Sequence, residues 1–264
     1  MPATDLQLLI EAARAAGEIA RRFFRQTPEV WDKPGGAGPV TEADLAVNAM
    51  LHADLGAERP DYGWLSEESP DNAARLGRQR TFIIDPIDGT RAFIEGDTSF
   101  AHSLAVAEDG QITAAVVYLP MKDQLYAATV HDPATMNGVP IRASATAEAA
   151  SATLLTAKAN LAAEHWQDGA APPFRHAFRS SIAWRLCLVA EGRFDAMLAL
   201  RPSWEWDIAA GDLIARQAGA MVSDRHGKPL TFNAADPRSA GILAGPQPLW
   251  AALQQGLRPF TGQH

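Results

Sequence analysis

The sequence predicts a mixed fold, α+β in its first half and α/β in its second, on three observations. Residues 99–130 hold three β-like runs broken by turn residues, which is the pattern of an antiparallel meander. Strand-like and helix-like segments then alternate from residue 153 onward, as in an α/β layer. An amphipathic helix opens the chain. At 264 residues the chain is long for one domain and short for two independent ones, so two closely packed subdomains are expected. These are an N-terminal antiparallel-sheet subdomain over residues 1–144 and a C-terminal α/β subdomain over residues 145–264. The boundary falls near Ser144, at the start of the low-complexity stretch 143–152.

In chain order, Thr4-Asp5-Leu6-Gln7 is a capping-box pattern, and Leu6, Leu9, Ile10, Ala13, Gly17, Ala20 and Phe24 follow helical spacing. The Pro- and Gly-rich segment 33–39 is a candidate mobile flap, and Thr41 is placed to cap a second helix. Thr81-Phe82-Ile83-Ile84 reads as a short buried strand that stops at Asp85-Pro86, because proline has no amide to pair. The meander strands are 100–107, 112–119 and 124–130, separated by Asp109-Gly110 and residues 120–123; Asn137-Gly138 is a further turn. The second half is assigned a strand at 153–158, a helix at 181–191, a strand at 194–200 and a helix at 206–217. Further strands fall at 220–224 and 241–244, with residues 171–173 in a loop.

Composition narrows the function. A hydrophobic fraction of 47% and a charged fraction of 20% suit a soluble globular protein. The net charge of -8, from 23 basic and 31 acidic residues, argues against a nucleic-acid coat or a basic membrane-surface protein. It leaves a phosphorylated substrate open, since bound Mg²⁺ reverses the local sign of an acidic site. The single cysteine, Cys187, excludes an intramolecular disulfide and suggests a reducing compartment. Residues 1–24 lack the uninterrupted apolar core of a signal peptide, and no apolar run is long enough to span a bilayer, so the cytoplasm is the expected location.

Chemistry concentrates in three acidic segments. Asp85-Pro86-Ile87-Asp88-Gly89-Thr90 brings two carboxylates, the Ile87 carbonyl and a hydroxyl to a strand end, where hard oxygen donors suit a divalent cation. Gly89 permits a tight turn, and a helix opening at Gly89-Thr90 would aim free amides at an anion. The same Asp-Pro and Asp-Gly pairs are ordinary turn formers. Glu67-Glu68 is either a second ligand cluster or a solvated charge pair, and Asp207, in Glu205-Trp206-Asp207, is either a ligand or a helix cap. The seven His show no metal-ligand spacing, which favours Mg²⁺ over zinc.

Taken together, Glu67-Glu68, then Asp85 to Thr90, then Trp206-Asp207 resemble the inositol monophosphatase superfamily of Mg²⁺-dependent phosphomonoesterases, and the likeness spans essentially the whole chain, including residues 40–44. The resemblance implies a layered αβαβα, sugar-phosphatase-like fold and a homodimer. It implies that Glu67, Asp85 and the Ile87 carbonyl hold one Mg²⁺, and that Asp85, Asp88 and Asp207 hold a second, with a third, weaker ion near Glu67. Asp44 and Thr90 take the place of the pair that orients the attacking water, and the Gly89 and Thr90 amides hold phosphate oxygens. Glu67 and Asp207 thereby also touch the reaction and the substrate.

Three details resemble 3'(2'),5'-bisphosphate nucleotidases of the CysQ type: Arg91-Ala92-Phe93-Ile94 after Thr90, the segment 205–211, and Cys187 to Gly192 with Arg185 two positions earlier. Hydrolysis of adenosine 3',5'-bisphosphate to AMP and phosphate is the activity this implies, serving sulfur assimilation. Arg185 is either a ligand for the second phosphate or a helix-surface residue. Trp204 and Trp206 either stack on adenine or pack in the core. Segment 200–203 lacks the Arg-x-Gly-Pro of those nucleotidases, which leaves inositol 1-phosphate and histidinol phosphate as alternative small-molecule substrates. A non-catalytic phosphate-ligand sensor is the alternative from another class; retention of the water-orienting pair Asp44 and Thr90 speaks against it.

Overall fold

A computed structural model describes residues 4–33, Gly35 and residues 38–259. Helix α1 (Asp5–Phe23) begins at Thr4, whose side chain accepts the Gln7 amide at 3.2 Å. Only this half of the expected capping box is seen, and the Gln7 side chain turns along the helix, its Nε2 donating to Glu11 at 2.6 Å. A short hairpin of β1 (Val30–Asp32) and β2 (Pro39–Thr41) leads into α2 (Glu42–Glu58). Thr41 caps α2 with a complete box: its hydroxyl accepts the Asp44 amide while its own amide donates to the Asp44 carboxylate at 2.8 Å. Of the expected flap, Pro34, Gly36 and Ala37 lie outside the described residues. The Lys33 amide donates to the Gly38 carbonyl at 2.9 Å.

β3 (Gly63–Ser66) runs parallel to β4 (Arg80–Asp88), and after α3 (Thr90–Ile94) come β5 (Ala101–Glu108), β6 (Gln111–Leu119) and β7 (Gln124–Thr129). With β8 (Thr135–Met136) and β9 (Val139–Pro140) they form one sheet in sequential order, antiparallel from β4 onward. Alternation along the strands sorts the two faces. Phe82, Ile84, Leu104, Val106 and Val116 pack under α1 and α2, on Leu9, Val47 and Leu51. Ile83, Ala105, Ala115, Val117 and Tyr126 point the other way.

That second face meets α4 (Ile182–Ala190) and α5 (Glu205–Gln217), which are apolar nearly all round because a sheet lies on each side of them. Beyond them is a five-stranded sheet: β10 (Thr153–Thr156), β11 (Arg175–Ala177), β12 (Ala196–Ala199), β14 (Met221–Ser223) and β16 (Ile242–Gly245), in the order β11-β10-β12-β16-β14. Met197, Ala199, Ile242 and Ala244 face α4 and α5. Ala196, Leu198 and Leu243 face α6 (Gln247–Gly256) through Leu249 and Leu253. β13 (Ser203–Trp204) pairs with β15 (Arg238–Ser239) in a small ribbon. The layers are therefore α/β/α/β/α, as the resemblance implies.

The meander and the alternating second half fall within a few residues of expectation. One expectation is corrected. β4 does not stop at Asp85-Pro86 but continues to Asp88, pairing Asp85 with Ser103 and Asp88 with Ala101 across a bulge that takes up one extra residue. β3 has ended by then, its last pair being Ser66 with Ile84, so proline's missing amide costs no bond to that neighbour.

Candidate metal centre

The bulge places its acids at the junction of the large sheet with α4 and α5. Glu67 follows the end of β3, and its amide donates to the Ile84 carbonyl at 3.2 Å, which fixes it beside Asp85. Asp207 lies in the first turn of α5, whose entry is tied to β5 by the Ser103 hydroxyl donating to the Trp206 carbonyl at 3.0 Å. Carboxylate oxygens of Glu67, Asp85 and Asp207 consequently lie within 4.8 Å of one another.

Three acids at this spacing repel when ionised. Burial, and then Glu67, Asp88 and Asp207, push the Asp85 carboxyl well above the usual range. Burial, with Asp88 and Glu67, does the same to Asp207. A divalent cation removes that conflict, and an all-carboxylate donor set suits a hard ion, so the residues present fit Mg²⁺.

Asp88 stands outside this group of three. Its Oδ2 accepts the Ser181 hydroxyl at 2.7 Å and the Ala183 amide at 2.6 Å, at the start of α4. Burial nevertheless raises its pKa to about 6 against those bonds. The one proton of the Thr90 hydroxyl has two acceptors at equal distance, the Ile87 carbonyl and Asp44 Oδ1, each 3.2 Å from Oγ1. Asp44 Oδ2 accepts from the Thr41 hydroxyl and amide. Buried under this lattice, Asp44 has a pKa of about 6, burial outweighing its hydrogen bonds.

Gly89 precedes α3 with φ +103°, and a Cβ there would lie 3.1 Å from the Ser99 carbonyl, so both backbone hand and space demand glycine. Arg185 is buried, its Nε donating to the Arg179 carbonyl and its Nη2 to that of Ser180 at 3.3 Å, with its guanidinium over the Phe178 ring. Burial lowers its pKa to about 10. Cys187 is fully buried, as expected of a small hydrophobe.

Sequence reasoning missed Lys33. Its Nζ lies 2.7 Å from Glu67 and 2.6 Å from Glu68, an internal cation beside the acidic group. Burial pushes Glu68 up to about 7, and for Lys33 the two glutamates outweigh burial and raise its pKa. Ser181 was also missed, although a serine opening an expected helix is a cap signal. The tryptophans answer to neither expectation alone. Trp204 is 39% exposed and stacks on Trp206 with centroids 4.7 Å apart and planes 10° apart, with Arg238 over the Trp204 ring. These three line a cavity of about 390 Å³ together with Glu67.

A histidinol-phosphatase from Chlorobaculum parvum is 33% identical, aligned over 96% of this chain and 98% of its own length. An inositol-1-monophosphatase from Rhizobium meliloti is 30% identical, with 98% of each chain covered. Among solved structures, the extragenic suppressor protein SuhB of Bartonella henselae superposes with a TM-score of 0.81 at 29% identity, covering 94% of this chain and 96% of that one. An IMPase from Thermotoga maritima does so with a TM-score of 0.81 at 27% identity, covering 95% of each. The family model for the inositol monophosphatases matches residues 2–258, nearly the whole chain, and the chain belongs to the inositol monophosphatase family.

Proposed function

We propose that this chain is a Mg²⁺-dependent phosphomonoesterase whose substrate alcohol carries a planar, nitrogen-containing ring, with adenosine 3',5'-bisphosphate as the leading substrate. The observation that carries the ring is the Trp204–Trp206 stack lining the cavity that Glu67 also lines. Glu67, Asp85 and the Ile87 carbonyl would hold one Mg²⁺, Asp85, Asp88 and Asp207 a second, and Glu67 a weaker third. Bound there, Mg²⁺ supplies Lewis acidity that neutralises the phosphate and stabilises the leaving oxygen. The chain's own groups do the rest. Thr90 Oγ1 takes a proton from the attacking water as its own proton passes to Asp44 Oδ1, 3.2 Å away, so that Asp44 is the final base. The Gly89 and Thr90 amides hold phosphate oxygens, and no covalent intermediate with the protein is needed.

Histidinol phosphate is the second reading. It is favoured because Arg185 is engaged by the Arg179 and Ser180 carbonyls, which takes away the expected ligand for a second phosphate. The relative named histidinol-phosphatase lends it support. The test is kcat/KM on adenosine 3',5'-bisphosphate, histidinol phosphate and inositol 1-phosphate. One of the ring-bearing esters is expected to lead, and a preference for inositol 1-phosphate would overturn the ring assignment. Stacking on a base is worth ~1–3 kcal/mol, so Trp204→Ala is expected to lower kcat/KM for the ring-bearing substrate about 5- to 150-fold. The value for inositol 1-phosphate should stay within about threefold on the same argument, since it has no π-face to lose.

A further inference from the structure

We infer that His102, which no ligand motif contains, is the positioning residue of the metal-bearing bulge; this rests on the metal-centre reading above. His102 lies on β5, fully buried, and its Nδ1 is hydrogen-bonded to the Pro86 carbonyl. Pro86 is the residue between Asp85 and Ile87, inside the one-residue bulge where β4 and β5 lose their regular register. A bulge leaves a backbone group unpaired, and a buried unpaired carbonyl is costly. The imidazole supplies the missing donor from the facing strand.

The chemistry of the ring fixes which nitrogen donates. A carbonyl only accepts, so the proton sits on Nδ1, and Nε2 is left as an acceptor with no partner among the described residues. Phe100 and Tyr118 ring the imidazole, with centroids 6.4 Å away in each case, and Arg21 on α1 contributes a positive charge. Burial, helped by Arg21, disfavours a second proton more than the Pro86 carbonyl favours it, so the ring is a neutral donor. Holding the Pro86 carbonyl orients the peptide units on either side. The one carries Asp85, the other the Ile87 carbonyl, and both belong to the proposed ligand set. Partners that orient metal ligands through a hydrogen bond typically change metal affinity 10- to 100-fold when removed.

The test compares His102→Leu, which keeps the bulk and loses the donor, with His102→Asn, whose amide reproduces an N–H at the place of Nδ1. Affinity for Mg²⁺ alone is read by calorimetric titration without substrate, alongside the melting temperature of each metal-free protein. Mg²⁺ binding is expected to weaken about tenfold or more in His102→Leu and to stay within about threefold of wild type in His102→Asn. Equal weakening in both, or an unchanged affinity in His102→Leu, would overturn the inference. A role in folding alone would lower the melting temperatures and leave Mg²⁺ affinity untouched. Wild-type protein labelled with ¹⁵N-histidine gives a readout independent of any variant. The Nδ1–H tautomer is expected and the Nε2–H tautomer contradicts the inference. If His102→Leu fails to fold, this spectrum and His102→Asn decide. Wild-type protein that binds no Mg²⁺ would instead defeat the metal-centre reading itself.

Discussion

Asp44 holds together two jobs that the sequence presents as one. It completes the capping box of α2 through Oδ2, and it faces Thr90 through Oδ1. Asp44→Asn keeps the shape and loses the base, so kcat is expected to fall about 10²- to 10⁴-fold while Mg²⁺ affinity changes little, measured by phosphate release and by direct titration. A variant with unchanged kcat would remove Asp44 from proton transfer. Residue types mark Glu67, Asp85 and Asp207 as candidate ligands while leaving turn, charge-pair and cap readings open, and it is the order of the three segments, through its resemblance to a family, that joins them; the three do converge. Partners that depend on the third dimension are not legible in the sequence. Lys33 reaches Glu67 across 34 positions, and Ser181 reaches Asp88 across 93, with no local pattern to announce either contact.

Elements with a strong period or turn chemistry were readable, and those fixed by packing were not. α6 has only Leu249 and Leu253 buried over its ten residues, too few to set a helical stripe. Proline in the sequence predicts too short a β4, because whether its missing amide costs a bond depends on where the neighbouring strand β3 ends, which no local pattern reveals. The pairing of α4 with α5 makes a sharper demand. A Cβ on Gly211 would lie 2.5 Å from Leu186 Cδ1 and 2.6 Å from Leu186 Cβ, so the helices approach through a missing side chain. Gly211→Ala adds helix propensity worth ~1 kcal/mol and overpacking of ~1–3 kcal/mol. A net loss of ~1 kcal/mol is expected, read as a melting temperature lower by about 2–4 °C at this size. A melting temperature equal to or above wild type would show that the two helices are not tightly packed there.

Across the whole molecule the buried acids tie stability to pH and metal. Asp85 and Asp207 are raised by burial and by each other's neighbours, and Asp44 and Asp88 stand at about 6, all above their unfolded range. A raised carboxyl stabilises the fold below its unfolded pKa, and that contribution is lost as pH climbs through the folded value. Metal-free protein therefore loses stability from these groups between about pH 4 and pH 6 and above. Mg²⁺ binds the ionised form, so its stabilising effect must grow over the same window. The Mg²⁺-induced rise in melting temperature is expected to be larger at pH 8 than at pH 5 by about 4 °C or more, equivalent to ~2 kcal/mol. An equal or larger rise at pH 5 would mean that Asp85, Asp88 and Asp207 are not the ligands. The most direct measurement is the anomalous scattering of Mn²⁺ in crystals of the wild-type protein. The predicted result is one peak bonded to carboxylate oxygens of Glu67 and Asp85 and a second bonded to those of Asp85, Asp88 and Asp207, with Lys33 withdrawn from Glu67. A peak elsewhere, with Lys33 still bridging Glu67 and Glu68, would contradict the account.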